Sequence, residues 1–139
     1  MIVTVATNNH LNDILTLSRD QLLSDAQAAF LRKSLEREEI LVATQNDNVI
    51  GFAVWNREFY EQPFLWLIQI EERSRRQGVA RALITEVKRR IGKSAKLFTS
   101  TNQSNEIAQS VFESLGFSKS GIIENLDLGD PEVVYFKQL

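Results

Sequence analysis

The stretch from residue 63 to residue 101 limits the choice of fold more than any other part of the chain. It opens on PFLWLIQI (63–70), an almost unbroken apolar run whose only polar side chain is Gln69. A run of this length and character reads as a central strand covered on both faces. A basic segment follows, then a helix over 78–90. In it Ala80, Leu83, Ile84, Val87 and Ile91 recur at helical spacing along one stripe. Lys88, Arg89 and Arg90 fill its last turn, where cations suit the helix dipole, and Gly92 is placed to end it. AKLFTST (95–101) is the next strand. Strand, helix and strand in this order commit the chain to an α/β arrangement.

The flanking segments fit around this centre. IVTVA (2–6) alternates and is β-branched, so it reads as a strand. A helix is expected over 12–18, with Leu11, Ile14, Leu15 and Ser18 in register and Asn9 or Asn12 as its cap. Ser24 and Asp25 offer a cap for a second helix, AQAAFLRKSLERE (26–38), with a stripe of Ala26, Ala29, Phe30 and Lys33. EILVATQ (39–45) and VIGFAVWN (49–56) are strands, and the turn chemistry of 46–48 joins them as a tight antiparallel hairpin. NEIAQSVFESLGF (105–117) is a helix with Ile107, Ala108, Val111, Phe112 and Leu115 inward, stopped at Gly116. FSKSGIIENLDL (117–128) and EVVYFKQL (132–139) close the chain as strands around a turn at 129–131. The expected architecture is mixed α/β with a single layer of sheet, in one domain over residues 1–139.

Composition narrows the function classes. There is no cysteine, which removes disulfides, thiolate zinc sites and a cysteine nucleophile, and suits a reducing compartment. No metal site is expected. The formal net charge of −2 gives no general pull toward nucleic acid or membrane. The N-terminal residues lack a basic leader before a long apolar run, and no segment reaches the roughly 18 apolar residues that a membrane span needs. A cytoplasmic location is the expectation.

The basic segment RRQGVA (75–80) carries the chemistry, and it has two readings. It can be a solvated loop that happens to be basic. It can also be an anion cradle, because amides in the first turn of a helix lack intrahelical partners and the dipole adds positive charge there. Gly78 lets backbone approach a ligand closely, Ala80 keeps the next contact small, and Arg73, Arg75, Arg76 and Arg81 offer fork-shaped donors.

The segment resembles the acyl-CoA-binding loop of the GNAT superfamily of N-acetyltransferases. The family pattern is Arg or Gln, two residues, Gly, one residue, then Gly or Ala, and it falls here on Arg75, Gly78 and Ala80. A second stretch, Asn105, Ala108 and VFESLGF, resembles the family's next helix, and the order of elements matches over essentially the whole chain. The resemblance implies the GNAT fold, a mixed and mostly antiparallel sheet flanked by helices, with strands 63–71 and 95–101 parallel and splayed apart. It implies acetyl-CoA as co-substrate, with its pantetheine arm pairing near Ile68 and Ile70. The pyrophosphate would lie on the amides of Arg76, Gln77, Gly78, Val79, Ala80 and Arg81. Asn105, Ser110 and Phe112 would lie along the cofactor. It implies direct acetyl transfer to an amine, on a small molecule or a protein, without a metal.

Two departures from the family pattern matter. Many members carry a tyrosine that protonates the leaving thiolate, four residues before the Gly of the closing Gly-Phe. Here that position is Phe112, which has no proton to give. A general base is also not evident. Tyr60 and Glu61 are the candidates on the acceptor side, and each also reads as an ordinary hairpin residue. Glu71 reads as a solvated loop acid and His10 as a cap or surface residue. Trp55, Phe59, Phe64 and Trp66 read as core, with one or two able to line an acceptor pocket. The departures give the alternative of a catalytically weak acyl-CoA-binding sensor. Nothing in the sequence excludes a homodimer.

Overall fold

The structure is a computed structural model that describes residues 1–18, 23–93 and 95–139. Its elements in chain order are β1 (Ile2–Val5), a 3₁₀ turn (Asn8–His10), α1 (Leu11–Ser18), α2 (Asp25–Glu36), β2 (Ile40–Gln45), β3 (Asn48–Phe59) and β4 (Gln62–Ile70). A second 3₁₀ turn (Glu72–Ser74), α3 (Val79–Ile91), β5 (Lys96–Asn102), α4 (Glu106–Ser114), β6 (Ser118–Ile123) and β7 (Glu132–Gln138) complete it. The seven strands form one mixed sheet in the order β1-β2-β3-β4-β5-β7-β6, and four helices flank it. The β4–β5 pair is parallel, while β1–β2, β2–β3, β5–β7 and β6–β7 are antiparallel.

The chain forms two compact units, and β3 and β4 contribute to both. The first comprises Met1–Trp55 and Leu67–Arg90. Its core packs Ile14 of α1 and Leu31 and Leu35 of α2 with Ile40, Phe52 and Val54 of the sheet. The α2 stripe differs from the expected one. Leu31, Ser34 and Leu35 are buried, while Ala26, Ala29 and Lys33 are exposed. Leucine removes far more apolar area from water than alanine, so the leucines set the helix's rotation. Ser24 caps α2 as expected, exchanging hydrogen bonds with Gln27 in a capping box. At α1 neither asparagine is the cap. The chain enters helical geometry earlier, through the 3₁₀ turn, and the Thr7 N–H donates to His10 Nδ1 at 2.9 Å. His10 thus closes a helix entry.

The second unit comprises Asn56–Trp66 and Ile91–Leu139. Tyr135 of β7 is fully buried against Phe112 of α4, with ring centroids 5.7 Å apart. The Phe117 N–H returns to the Phe112 carbonyl at 3.0 Å, so the closing Gly-Phe acts as a helix stop. An aromatic row crosses the strands: Phe59 meets Phe64 and Phe98, and Phe98 meets Phe136.

Two boundaries differ from the sequence reading. The hairpin between β3 and β4 turns on Tyr60 and Glu61, both with positive φ, so β3 runs on to Phe59 rather than ending near residue 56. In addition, β6 ends at Ile123, and 124–131 forms a loop rather than a strand with a short turn. Side chains of that loop explain it. Asp127 accepts from Asn102 Nδ2 at 2.7 Å, and Asp130 accepts from both the Ser104 N–H and its hydroxyl. These bonds hold the segment to the β5–α4 connection and off the β7 ladder.

Candidate active site

The expected central strand is central, with three strands on either side. Its burial is uneven, however. Phe64 and Leu65 are buried, whereas Trp66 is 37% exposed and Leu67, Ile68, Gln69 and Ile70 are half-buried. The β4–β5 ladder explains the change, since it comprises only Phe64↔Phe98 and Leu65↔Thr99. Where it stops, the Thr99 hydroxyl donates to the Leu65 carbonyl at 2.9 Å and satisfies a group that the ladder would otherwise pair.

Immediately after β4 the chain is fastened from both sides. The Glu71 N–H donates to the Ile50 carbonyl at 2.8 Å, which ties the start of the loop to β3. The Glu71 carboxylate then organises the turn. One oxygen accepts from Arg73 Nε and Nη2, both at 3.1 Å, and the other accepts from the buried Ser74 hydroxyl at 2.8 Å. The Ser74 hydrogen bond, with help from Arg73, holds its carboxyl below the usual carboxylate value. The Ser74 and Arg75 N–H groups close the 3₁₀ turn, and Gln77 Nε2 donates to the Arg73 carbonyl at 3.3 Å. Glu71 is therefore a staple and not the solvated acid expected from the sequence. Arg73 and the Gln77 side chain are also committed to the loop itself.

The part expected to meet an anion remains free. Arg75, Arg76 and Arg81 are exposed and form no ion pair among the described residues. The N–H groups of Arg76, Gln77 and Gly78 have no hydrogen-bond acceptor among the described residues, and the first-turn amides of α3 lack intrahelical partners by construction. Arg76 and Gly78 both have positive φ, at 63° and 80°. These two left-handed residues flank Gln77, and anion nests are built from left-handed residues next to ordinary ones. At Gly78 a Cβ would meet nothing within 4 Å, so the glycine is needed for its backbone conformation rather than for space.

Gly51 is a residue that the sequence reading passed over. A Cβ there would lie 2.9 Å from Ile70 Cδ1, 3.1 Å from the Gln69 carbonyl and 3.1 Å from Val79 Cγ1. Its bare backbone lets the end of β4 and the first turn of α3 pack close on β3. Val79 is thereby buried at 3% exposure, so only its backbone can serve a ligand. A glycine inside an apolar strand run signals such a close approach.

A groove of about 640 Å³ lies alongside, lined by Thr16 and Leu17 of α1 and by residues 69–73. Thr16, Gln69, Glu71, Glu72 and Arg73 supply its polar wall.

The remaining expected site residues belong to the second unit. Asn105 caps α4, its Oδ1 accepting from the Ala108 N–H at 3.0 Å, which leaves its Nδ2 as the donor for a ligand. Ser110 is exposed on α4, and its hydroxyl makes no hydrogen bond among the described residues. Phe112 is 3% exposed between Phe117 and Tyr135. The Tyr135 hydroxyl reaches Gln109 and Glu113, each at 3.3 Å. Burial, followed by the Glu113 charge, raises its pKa and keeps it protonated. Tyr60 is 86% exposed and Glu61 exposed beside it at the hairpin tip. Among the described residues no group of His, Cys, Asp or Glu stands ready to hold a metal ion, and no helix is long and apolar enough to cross a membrane.

Comparison with known proteins places this geometry in context. A model of the GNAT acetyltransferase domain matches residues 8–124. A GNAT-family acetyltransferase from Bacillus cereus ATCC 10987 shares 31% identity at a TM-score of 0.86, over 99% of this chain and 96% of that one. A ribosomal-protein-alanine N-acetyltransferase from Brucella melitensis shares 19% identity at a TM-score of 0.80, with all of both chains covered. A protein from Bacillus anthracis str. Ames, crystallised in complex with acetyl coenzyme A, shares 20% identity at a TM-score of 0.65, over 72% of this chain and 61% of that one. The last two speak for the fold alone. A search of curated proteins found no match.

Proposed function

This chain belongs to the GNAT family of acetyltransferases, and we propose that it is a single-domain, cytoplasmic N-acetyltransferase that moves an acetyl group from acetyl-CoA directly to a primary amine. The observation that carries the reading is the stapled loop: a turn fixed by Glu71, followed by amides at Arg76, Gln77 and Gly78 and three arginines without partners among the described residues. That combination suits a pyrophosphate, and Arg75, Arg76 and Arg81 would add charge-assisted bonds. Ile68 and Ile70, on the half-buried end of β4, would offer backbone groups to the pantetheine arm. Asn105 Nδ2 and Ser110, with Phe112 behind them, are the proposed contacts from α4. The family match supports acetyl-CoA as the co-substrate, and a structure of similar fold was crystallised with acetyl coenzyme A.

In the reaction the neutral amine nitrogen attacks the thioester carbonyl carbon and the C–S bond breaks. The amine loses one proton and CoA leaves as thiolate or thiol. The groove beside α1 is the proposed approach for the acceptor, because Glu72 lines it while the Arg73 charge there is balanced by Glu71, and an ammonium ion arriving there releases its extra proton to water before it attacks. On the hairpin, Tyr60 and Glu61 are the exposed groups able to meet an amine. With Phe112 in place of a phenol, the thiolate leaves without a proton from this helix. A thiol of ordinary pKa, about 8.5, tolerates that. The missing acid costs about 10²–10⁴-fold in rate, and does not forbid the reaction.

The buried, proton-less Phe112 favours one second reading, an acyl-CoA sensor with little turnover. Thiol release from acetyl-CoA, measured against a panel of small amines, polyamines and peptide N-termini, separates the two. Amine-dependent release above hydrolysis is expected. If calorimetry shows acetyl-CoA binding and no amine raises release, the sensor replaces the transferase. If acetyl-CoA does not bind at submillimolar concentration, both readings fall.

A further inference from the structure

Between the end of β5 at Asn102 and the start of α4 at Glu106 lie Gln103, Ser104 and Asn105, and all six of their backbone N–H and C=O groups have protein partners. The Gln103 N–H donates to the Pro131 carbonyl at 2.8 Å, and its carbonyl accepts from Gln109 Nε2 at 2.7 Å. The Ser104 N–H and hydroxyl both donate to the Asp130 carboxylate, at 3.0 and 2.6 Å, one to each oxygen. The Ser104 carbonyl accepts from the Glu106 N–H at 3.1 Å. The Asn105 N–H donates to the Asn102 carbonyl at 2.9 Å, and its carbonyl accepts from the Gln109 N–H at 3.2 Å. Asp130 is the one charged side chain in this set, and it lies 26 residues from Ser104 in sequence.

The bonds converge on Asn105. Its φ of −86° and ψ of 75° lie away from the extended backbone that a helix cap usually adopts. They match an inverse γ-turn, and the bond from the Glu106 N–H to the Ser104 carbonyl closes that turn across Asn105. The central residue of such a turn keeps one direction only while both neighbours are held. The helix holds Glu106, and Asp130 holds Ser104. The Oδ1 of Asn105 is taken by the Ala108 N–H at 3.0 Å, so Nδ2 is its one polar group without a partner among the described residues.

We propose that Asp130 is the positioning residue for this donor, a role that rests on the reading of Asn105 Nδ2 as an acetyl-CoA contact. By holding Ser104 it locks the γ-turn at Asn105 and presents Nδ2 in one direction; it touches no ligand itself. A carboxylate suits the task. Its two oxygens take an amide and a hydroxyl of the same residue, which fixes that residue's orientation as a single bond would not, and its charge strengthens both bonds. The turn that carries Asp130 is itself fixed. Its N–H returns to the Asp127 carbonyl at 3.2 Å, Gly129 supplies a left-handed residue at φ 75°, and Pro131 restricts the backbone on the other side. Asn102 Nδ2 adds bonds to Asp127 and to the Asp130 carbonyl. Without the carboxylate, Ser104 gives its N–H and hydroxyl to water, and the cap at Asn105 relaxes toward the ordinary extended form. Acetyl-CoA then has to order the turn as it binds, which weakens it.

Calorimetry of acetyl-CoA binding by the full chain tests this, with differential scanning fluorimetry to show that each variant is folded. Asn105→Ser keeps a capping hydroxyl and removes the amide donor, so the dissociation constant should rise by on the order of tenfold. Asp130→Ala should raise it by about fivefold, less than loss of the donor itself, because its bonds are exposed to solvent. The double variant should bind no more weakly than Asn105→Ser alone, since Asp130 then has nothing to aim. Asp130→Asn keeps an oxygen for the Ser104 N–H and an amide for its hydroxyl oxygen, and should recover most of the loss. A merely structural loss would add in the double variant. Wild-type affinity in folded Asp130→Ala overturns the proposal, as do losses that add in full or a failure of Asp130→Asn to recover binding. Unchanged affinity in Asn105→Ser overturns it too, while leaving the acetyltransferase reading in place. A wild type that does not bind acetyl-CoA removes that reading and this one with it.

Discussion

Replacing Glu71 with alanine removes the staple while leaving every proposed ligand-contacting group in place. Three hydrogen bonds are lost, two from Arg73 and one from Ser74. The Arg73 side chain is 87% exposed, so its pair with Glu71 contributes little, within about 0–1 kcal/mol. The Ser74 bond matters more. Its donor is buried, its acceptor is charged, and bonds of that kind contribute about 1.5–3 kcal/mol, part of which is the penalty of stranding the hydroxyl. About 2 kcal/mol then has to be recovered each time the loop is ordered around a pyrophosphate. At 1.4 kcal/mol per tenfold, acetyl-CoA should bind about 30-fold more weakly. The melting temperature should move little, because the turn opens locally without unfolding the core. Glu71→Gln keeps an acceptor for Ser74 and should fall between the two. Since the native carboxyl sits below its usual value, the staple's contribution is complete above the ordinary carboxylate range and fades as pH falls below it. Glu71→Ala should lose that acid dependence. Isothermal titration calorimetry reads the affinity and differential scanning fluorimetry the melting temperature. Wild-type acetyl-CoA affinity in folded Glu71→Ala would refute the idea that this carboxylate prepares the loop.

Gly78→Glu should abolish acetyl-CoA binding by calorimetry, because it puts an anion beside the unpaired amides in a left-handed residue; near-native affinity would defeat the loop assignment. Gly51→Ala should cost about 1–3 kcal/mol in chemical denaturation, since its Cβ would be pressed against Ile70 and the rigid Gln69 carbonyl; an unchanged midpoint would show that β4 shifts freely. Asp130→Ala should expose the 124–131 loop to limited proteolysis, because both its oxygens hold Ser104; equal cleavage rates would show that other bonds hold the loop. Phe112→Tyr should lower the melting temperature, as a hydroxyl enters a buried aromatic cluster at a cost of about 1–3 kcal/mol unless it finds a partner. Its turnover should hold or rise, and a large loss at intact acetyl-CoA affinity would show that ring packing, and not proton supply, governs this position.

The order of elements was legible because each of the decisive ones has an unambiguous period. The 78–90 stripe and the 63–70 run left no competing assignment, and the helix buries Leu83, Ile84 and Val87 as the period requires. Legibility failed where a tertiary contact outweighs a local preference. NLDL reads as strand, but the residues around Asp127 and Asp130 are held by Asn102 and Ser104, which are distant in sequence and carry no sign of the partnership. On α2 the alanines gave the right period with the wrong phase, because spacing alone does not weight the size of a side chain. Gly51 could have been found, since a glycine amid VIGFAV has no reason to be there unless something approaches it. For Glu71 the only local trace is an acid at a strand end, followed three residues later by a hydroxyl.

These gaps share a cause that bears on the site. A sequence displays the groups that could touch a ligand, and here it displays many arginines. It does not show which of them the protein has already used. Arg73 belongs to Glu71 and the Gln77 side chain to the Arg73 carbonyl, so the basic segment holds fewer free donors than its composition suggests. What the segment has instead is shape: a carboxylate that fixes the turn, a glycine on β3 that admits the next helix, and two left-handed residues that flank Gln77. If the proposed anion site is built this way, it depends on preorganised backbone more than on charge count. Neutralising one free arginine should therefore weaken acetyl-CoA binding less than removing Glu71, although Glu71 has the same sign of charge as the ligand.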